Sequence, residues 1–119
     1  PGESREEMIA MASEINKMPV NSVKFHQLQI VKGTYMEQEF RECPQDFEQF
    51  TLEEYIDFFI DFLELLKPEV HIERFAGEVP PRFVNNMPWG TIRYTEIHRR
   101  MEKRLEERDT WQSRRFGLL

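Results

Sequence analysis

The chain has one cysteine, Cys43, among its 119 residues. A single cysteine excludes an internal disulfide and any metal site built from several thiolates. It fits a reducing compartment, and a cytoplasmic protein is the expectation. No signal peptide is visible, and no apolar run approaches the roughly 20 residues of a membrane helix. The longest apolar stretch, Tyr55 to Leu66, is interrupted by Asp57, Asp61 and Glu64. A basic balance is missing too: the net charge is −6. That argues against the whole chain as a nucleic-acid binder, which would usually carry a basic face. An initial methionine is also absent. Pro1-Gly2-Glu3-Ser4, a turn dipeptide directly before a helix cap, reads as the middle of a longer protein.

Aromatics, by contrast, are plentiful. Ten Phe, three Tyr and two Trp, within 39% hydrophobic residues, can build a core. Charged residues make up 32%, which points to well-solvated helices rather than disorder. Residues 1–119 are expected to form a single domain with a helix-rich tail over 91–119. The positive charge is concentrated in that tail, from Arg93 through Arg99, Arg100, Lys103, Arg104 and Arg108 to Arg114 and Arg115. Two readings apply: a solvated helix balanced by Glu96, Glu102, Glu106 and Glu107, or a face for phosphate or RNA.

Three capping boxes punctuate the chain. Ser4 with Glu7 opens a helix over 4–17, with Met8, Ile9, Ala12 and Ile15 at helical spacing. Thr34 with Glu37 opens a second, to about Glu42. Thr51 with Glu54 opens a third over 52–66, whose apolar face is the broadest and should be the most buried. Residues 22–31 have strand character, with His26, Leu28 and Ile30 on one face and Val23, Phe25, Gln27 and Gln29 on the other. Val70 to Phe75 reads as a second strand, Ala76 to Asn86 as a Gly- and Pro-bearing loop, and 91–108 as a final helix. A docked coil over 109–119 completes the chain.

The resulting order, α-β-α-α-β-α, predicts an α/β protein with parallel strands. Two strands are too few for a stable parallel sheet, whose faces both need cover. The sheet is therefore expected to be incomplete, finished either by further sequence or by a second copy.

Several motifs point further. Phe25-His26-Gln27-Leu28-Gln29-Ile30-Val31-Lys32-Gly33-Thr34, then Glu53-Glu54-Tyr55-Ile56, then Ile72-Glu73-Arg74-Phe75-Ala76-Gly77-Glu78-Val79-Pro80-Pro81 resemble the C-terminal half of YhcC-like radical S-adenosylmethionine (SAM) proteins, a type of Fe–S oxidoreductase. The closing Arg104-Leu105-Glu106-Glu107-Arg108-Asp109-Thr110-Trp111-Gln112 fits the same family. The resemblance implies the C-terminal segment of a partial parallel (β/α) barrel. It also implies a parent that holds a 4Fe-4S cluster on a cysteine-rich loop and binds SAM. That loop has no counterpart here, so the implied fragment binds no cofactor or metal itself and is inactive alone. Its partner would be the N-terminal half of the parent barrel. Nucleic acid enters as the parent's substrate only by analogy with elongator-type members.

In a barrel, ligands gather at the C-terminal ends of strands. For the first strand these are Lys32, Gly33 and Thr34; for the second, Arg74, Gly77 and Glu78. Lys32 could neutralise a phosphate or carboxylate, or be a surface lysine. Gly33 and Thr34 could approach a ligand through backbone, or serve only as a turn and helix cap. Arg74 suits bidentate carboxylate binding, or pairs with Glu73 or Glu78. His26, mid-strand, could face the cavity or be a hydrogen-bonded core group. His71 and His98 have no partner at metal-ligand spacing. No residue pattern identifies a catalytic group. A rival reading makes the chain a stand-alone interaction module that dimerises through exposed strand edges.

Overall fold

A computed structural model describes residues 4–27, 29–47, 50–77, 83, 89–90 and 92–117. The element order is α1 (Arg5–Lys17), β1 (Ser22–Lys24), α2 (Tyr35–Glu42), a short 3₁₀ turn (Pro44–Asp46), α3 (Leu52–Leu65), β2 (His71–Arg74) and α4 (Tyr94–Glu107). This is the expected α-β-α-α-β-α order. β1 and β2 form a two-stranded parallel sheet, with Ser22 opposite His71, Val23 opposite Ile72 and Lys24 opposite Arg74.

The helix starts follow from their caps. Ser4 Oγ accepts from Glu7 N–H at 3.1 Å while Ser4 N–H donates to the Glu7 carboxylate at 3.3 Å. Thr51 and Glu54 do the same at 3.2 and 3.0 Å. The cap of α2 differs from the expected box. Thr34 Oγ1 accepts from Glu37 N–H, but the Glu37 carboxylate reaches one residue further back, to Gly33 N–H at 3.2 Å. It can do so because Gly33 turns the chain with φ +79°.

The first strand is shorter than expected, three residues in place of ten. A bulge between Val23 and Lys24 breaks the register, and beyond Phe25 the backbone leaves β2. The last helix begins at Tyr94 rather than near residue 91. Leu28 and the loop residues 78–82, including Glu78, lie outside the described residues.

Helix α3 is the centre of the core, with Leu52, Tyr55, Ile56, Phe59, Ile60, Phe62, Leu63 and Leu65 all buried. Phe25 stands edge-on to Phe59 and Phe62, with ring centres 5.0 and 5.4 Å away. Phe75 packs on Phe59 at 5.4 Å and on Tyr94 at 5.2 Å. The sheet and α4 are thereby both fastened to α3.

The end of α3 leaves carbonyls without helical partners, and distant residues satisfy them. Asn16 on α1 donates to the Leu65 carbonyl at 2.8 Å and accepts from Lys67 N–H at 2.8 Å. The C-terminal tail does the rest: Ser113 N–H bonds Leu63 O and Arg115 N–H bonds Glu64 O. Gln112 donates to the carbonyls of Lys67 and Val70. The tail is docked, as expected, in a series of turns.

Candidate functional site at the strand ends

Burial along the strands separates their two faces. Phe25 and Ile72 pack against the core under α3. Ser22, Lys24, His71 and Glu73 are exposed, and His26 continues their alternation. One face of the sheet is therefore apolar and covered by helix. The other is polar and open, with two histidines, a lysine and a glutamate on it.

Beyond β2 the backbone makes a closely held turn. Its backbone groups at Arg74, Phe75 and Gly77 are satisfied from three different places. The Arg74 carbonyl accepts from Phe25 N–H at 2.7 Å. The Phe75 carbonyl accepts from the Tyr55 hydroxyl, which reaches it from α3. Burial pushes the Tyr55 phenol well above its ordinary range, so it remains a donor. Gly77 donates its N–H to Gln27 Oε1 at 2.8 Å and accepts from Gln27 Nε2 at 3.0 Å.

This turn presents Arg74. Its guanidinium lies over the Tyr94 ring, 4.3 Å from the centroid. Its Nε is buried and has no hydrogen-bond partner among the described residues. Neither Glu73 nor any other carboxylate among the described residues pairs with it. A cation fixed in orientation by an aromatic ring, with an unused donor, is suited to a planar anion such as a carboxylate or a phosphate.

The other expected residues fall into two groups. His26 and Gly77 come together: a Cβ placed on Gly77 would lie 2.3 Å from His26 Nδ1. Lys32, Gly33 and Thr34 form the turn before α2. Thr34 Oγ1 donates to the Val31 carbonyl at 2.7 Å, and the cap engages Gly33 N–H. The Lys32 side chain is exposed, and its N–H donates to the Phe83 carbonyl at 2.6 Å, tying this turn to the loop after β2.

Sequence reasoning did not single out Gln27, Tyr55 or Tyr94 as supports of the site. Gln27 carries a signal in retrospect, because it is a polar residue in the apolar phase of a strand. The other two look like core aromatics.

The basic stretch of α4 turns toward α3. Arg104 bonds Asp57 at 2.8 Å, and Arg108 bonds Asp61 at 2.7 Å and lies 3.6 Å from Glu64. The buried Glu64 also accepts from the Thr110 hydroxyl. Arg99 and Arg100 share Glu96, and their guanidinium groups hold its carboxyl down at about 2. No helix among the described residues is long and apolar enough to cross a membrane.

Comparison with known proteins locates this architecture. The uncharacterized protein YtqA of Bacillus subtilis (strain 168) is 27% identical over 119 residues, covering 100% of this chain and 36% of that protein. The uncharacterized protein MJ0486 of Methanocaldococcus jannaschii is 33% identical over 118 residues, covering 98% of this chain and 35% of that protein. The chain thus spans about a third of the length of the curated relatives it matches. Among solved structures, the archaeal Methanocaldococcus infernus Elp3 with an N-terminal deletion (1–46) shares the fold, with a TM-score of 0.75 and 18% identity over 94% of this chain and 26% of that one. The sequence matches the Radical_SAM C-terminal domain over residues 20–107. Because that match runs from before β1 to the end of α4, taking in both strands and three of the four described α-helices, this chain belongs to the Radical_SAM C-terminal domain family.

Proposed function

We propose that this domain is the closing segment of the partial barrel of a radical SAM enzyme. Its open strand face and the turn at Arg74 would wall the cavity in which SAM and substrate meet. The observation that carries this reading is the division of the sheet into a helix-covered face and an exposed polar face bearing Lys24, His26, His71 and Glu73. In a barrel of this kind helices line the outside, and the opposite strand face looks inward. Arg74 would then offer its guanidinium to a carboxylate or phosphate at the cavity rim.

The family implies a 4Fe-4S cluster and SAM in the parent. The residues here do not fit the cluster. Among the described residues no three His, Cys, Asp or Glu side chains could hold a metal together, and Cys43 is an exposed lone thiol. No step of the chemistry is therefore assigned to this segment, which shapes the cavity and does not catalyse alone.

The test uses the longer protein after anaerobic cluster reconstitution, with dithionite supplying the electron for SAM cleavage. The expected outcome is 5′-deoxyadenosine formed from SAM by that protein and none by residues 1–119. Failure of the longer protein to form it would overturn the enzyme class. Stoichiometric iron with a cluster absorption band on residues 1–119 would overturn the division of labour.

A second reading has its own support: among the described residues β1 and β2 pair only with each other in the sheet, so each keeps an outer edge available there. A second copy could occupy those edges in a dimer. Sedimentation of residues 1–119 as a dimer, together with an inactive longer protein, would favour this interaction module.

A further inference from the structure

The backbone ladder between the strands ends at the bond from Phe25 N–H to Arg74 O. Two residues later the connection resumes through a side chain. A primary amide carries one carbonyl acceptor and an N–H donor, the same pair a peptide group carries. Gln27 uses both on a single residue, Gly77, at 2.8 and 3.0 Å. Its amide thus stands in for the missing strand backbone. It fixes the distance between the two chain segments where they diverge.

His26, its neighbour, depends on the same glycine. Gly77 is buried, and its φ lies outside the left-handed region, so backbone conformation does not demand glycine there. Space does. A Cβ would meet His26 Nδ1 at 2.3 Å, Cε1 at 3.2 Å and Cγ at 3.4 Å. The imidazole therefore rests with one edge on the Gly77 backbone, leaving Nε2 on the far side of the ring. His26 is exposed and makes no hydrogen bond or ion pair among the described residues. A polar ring for which the neighbouring glycine leaves room, with its outer nitrogen unpartnered among the described residues, can meet a ligand through that nitrogen.

We infer that Gln27 is a positioning residue. Its two-bond clasp on Gly77 would set the strand ends so that His26 Nε2 makes a hydrogen bond to the ligand in the cavity. This rests on the radical SAM reading above, but it assigns work to residues that reading does not require.

The experiment uses the full-length, cluster-reconstituted protein with dithionite as reductant, SAM as the probe and 5′-deoxyadenosine as the product. Three variants are compared: Gln27→Leu, Gln27→Glu and His26→Phe. Gln27→Leu removes both bonds, and kcat/KM should fall by about tenfold or more at every pH, as expected when a preorganising contact is lost. Gln27→Glu gives the sharper result. A neutral carboxyl still offers one donor and one acceptor, whereas a carboxylate only accepts and faces the Gly77 carbonyl. Its activity, taken as a ratio to wild type at each pH, should recover as pH falls and the carboxyl protonates. A merely structural loss would not follow that titration. His26→Phe keeps a ring on Gly77 and removes Nε2, and should lose about tenfold with an unchanged melting temperature.

An active wild type with all three variants within about twofold of it, or a Gln27→Glu ratio that does not change with pH, would refute the inference alone. A wild type that forms no 5′-deoxyadenosine would remove the radical SAM reading and this inference with it.

Discussion

Replacing Arg74 by methionine should separate what this residue does for stability from what it does for binding. In the folded chain its Nε is buried without a hydrogen-bond partner among the described residues. A buried donor left unsatisfied costs about 1–3 kcal/mol. Against this stands the stacking of the guanidinium on Tyr94 at 4.3 Å, which contributes about 0.5–2 kcal/mol depending on how dry the site is. Methionine keeps an apolar stem beside Tyr94, and its sulfur restores about 0.3–1.5 kcal/mol of contact with the ring. Two of the three terms favour methionine and only one opposes it, so Arg74→Met should keep the unfolding free energy or raise it by about 1–2 kcal/mol. Binding should behave otherwise. A charge-assisted hydrogen bond contributes about 1.5–3 kcal/mol, and one factor of ten corresponds to about 1.4 kcal/mol, so loss of the guanidinium should weaken anion binding about 10- to 100-fold. Arg74→Lys should fall between, because an ammonium keeps the charge but not the planar pair of donors. The assays are denaturant unfolding of each variant and the KM for SAM in the longer protein. A loss of more than about 3 kcal/mol in stability with an unchanged KM would refute the reasoning and make Arg74 a structural residue.

Two further outcomes test the scaffold behind the site. Asn16→Leu removes two hydrogen bonds at once, to the Leu65 carbonyl and from Lys67 N–H. At about 1 kcal/mol each in a half-buried place, the variant should lose about 2 kcal/mol by denaturant unfolding; a loss below about 0.5 kcal/mol would show that water replaces the amide fully. For Glu96, arginine pairing lowers the folded carboxyl from 4.5 to about 2. A depressed folded value means its contribution is present above the unfolded value and is lost as pH falls from 4.5 towards 2. An NMR titration of the Glu96 carboxyl should show this midpoint, rising with added salt because the pair is solvent-exposed. A midpoint near 4.5 at low salt would contradict the pairing.

Helices were far more legible in the sequence than strands, for a physical reason. Ser4, Thr34 and Thr51 announce helix starts because a cap is made within four residues, by groups adjacent in sequence. The alternation of α3 is likewise local, and its burial against the sheet follows from its width. β1 was over-read for the opposite reason. Period-two patterning continues through His26, Gln27 and Gln29, but whether a backbone pairs depends on the partner strand some 50 residues away. There a bulge at Val23/Lys24 shifts the register and the ladder stops soon after, at Phe25 N–H to Arg74 O, and no local signal encodes either. The cap at Gly33 shows the same limit on a smaller scale: Thr34 and Glu37 were the right pair, yet a positive φ one residue upstream redirected the carboxylate.

The candidate site was legible only in part for a related reason. Arg74, Gly77 and His26 can be nominated from their place at strand ends. What makes them a constellation is supplied by Gln27, Tyr55 and Tyr94, which reach the 74–77 turn from three different elements. Two of those three would be indispensable to a core in any case. Tyr55 stacks near Phe59 and Trp89, so its burial explains its presence, and its hydroxyl could go unremarked. Gln27 is different. It packs no large apolar surface, and a leucine there would suit the strand pattern better. Its amide is explained only by the two groups of Gly77 that it satisfies. A polar residue that breaks the pattern around it and both donates to and accepts from one distant backbone position is there to hold that position. The position it holds is the rim where the open face of the sheet meets Arg74.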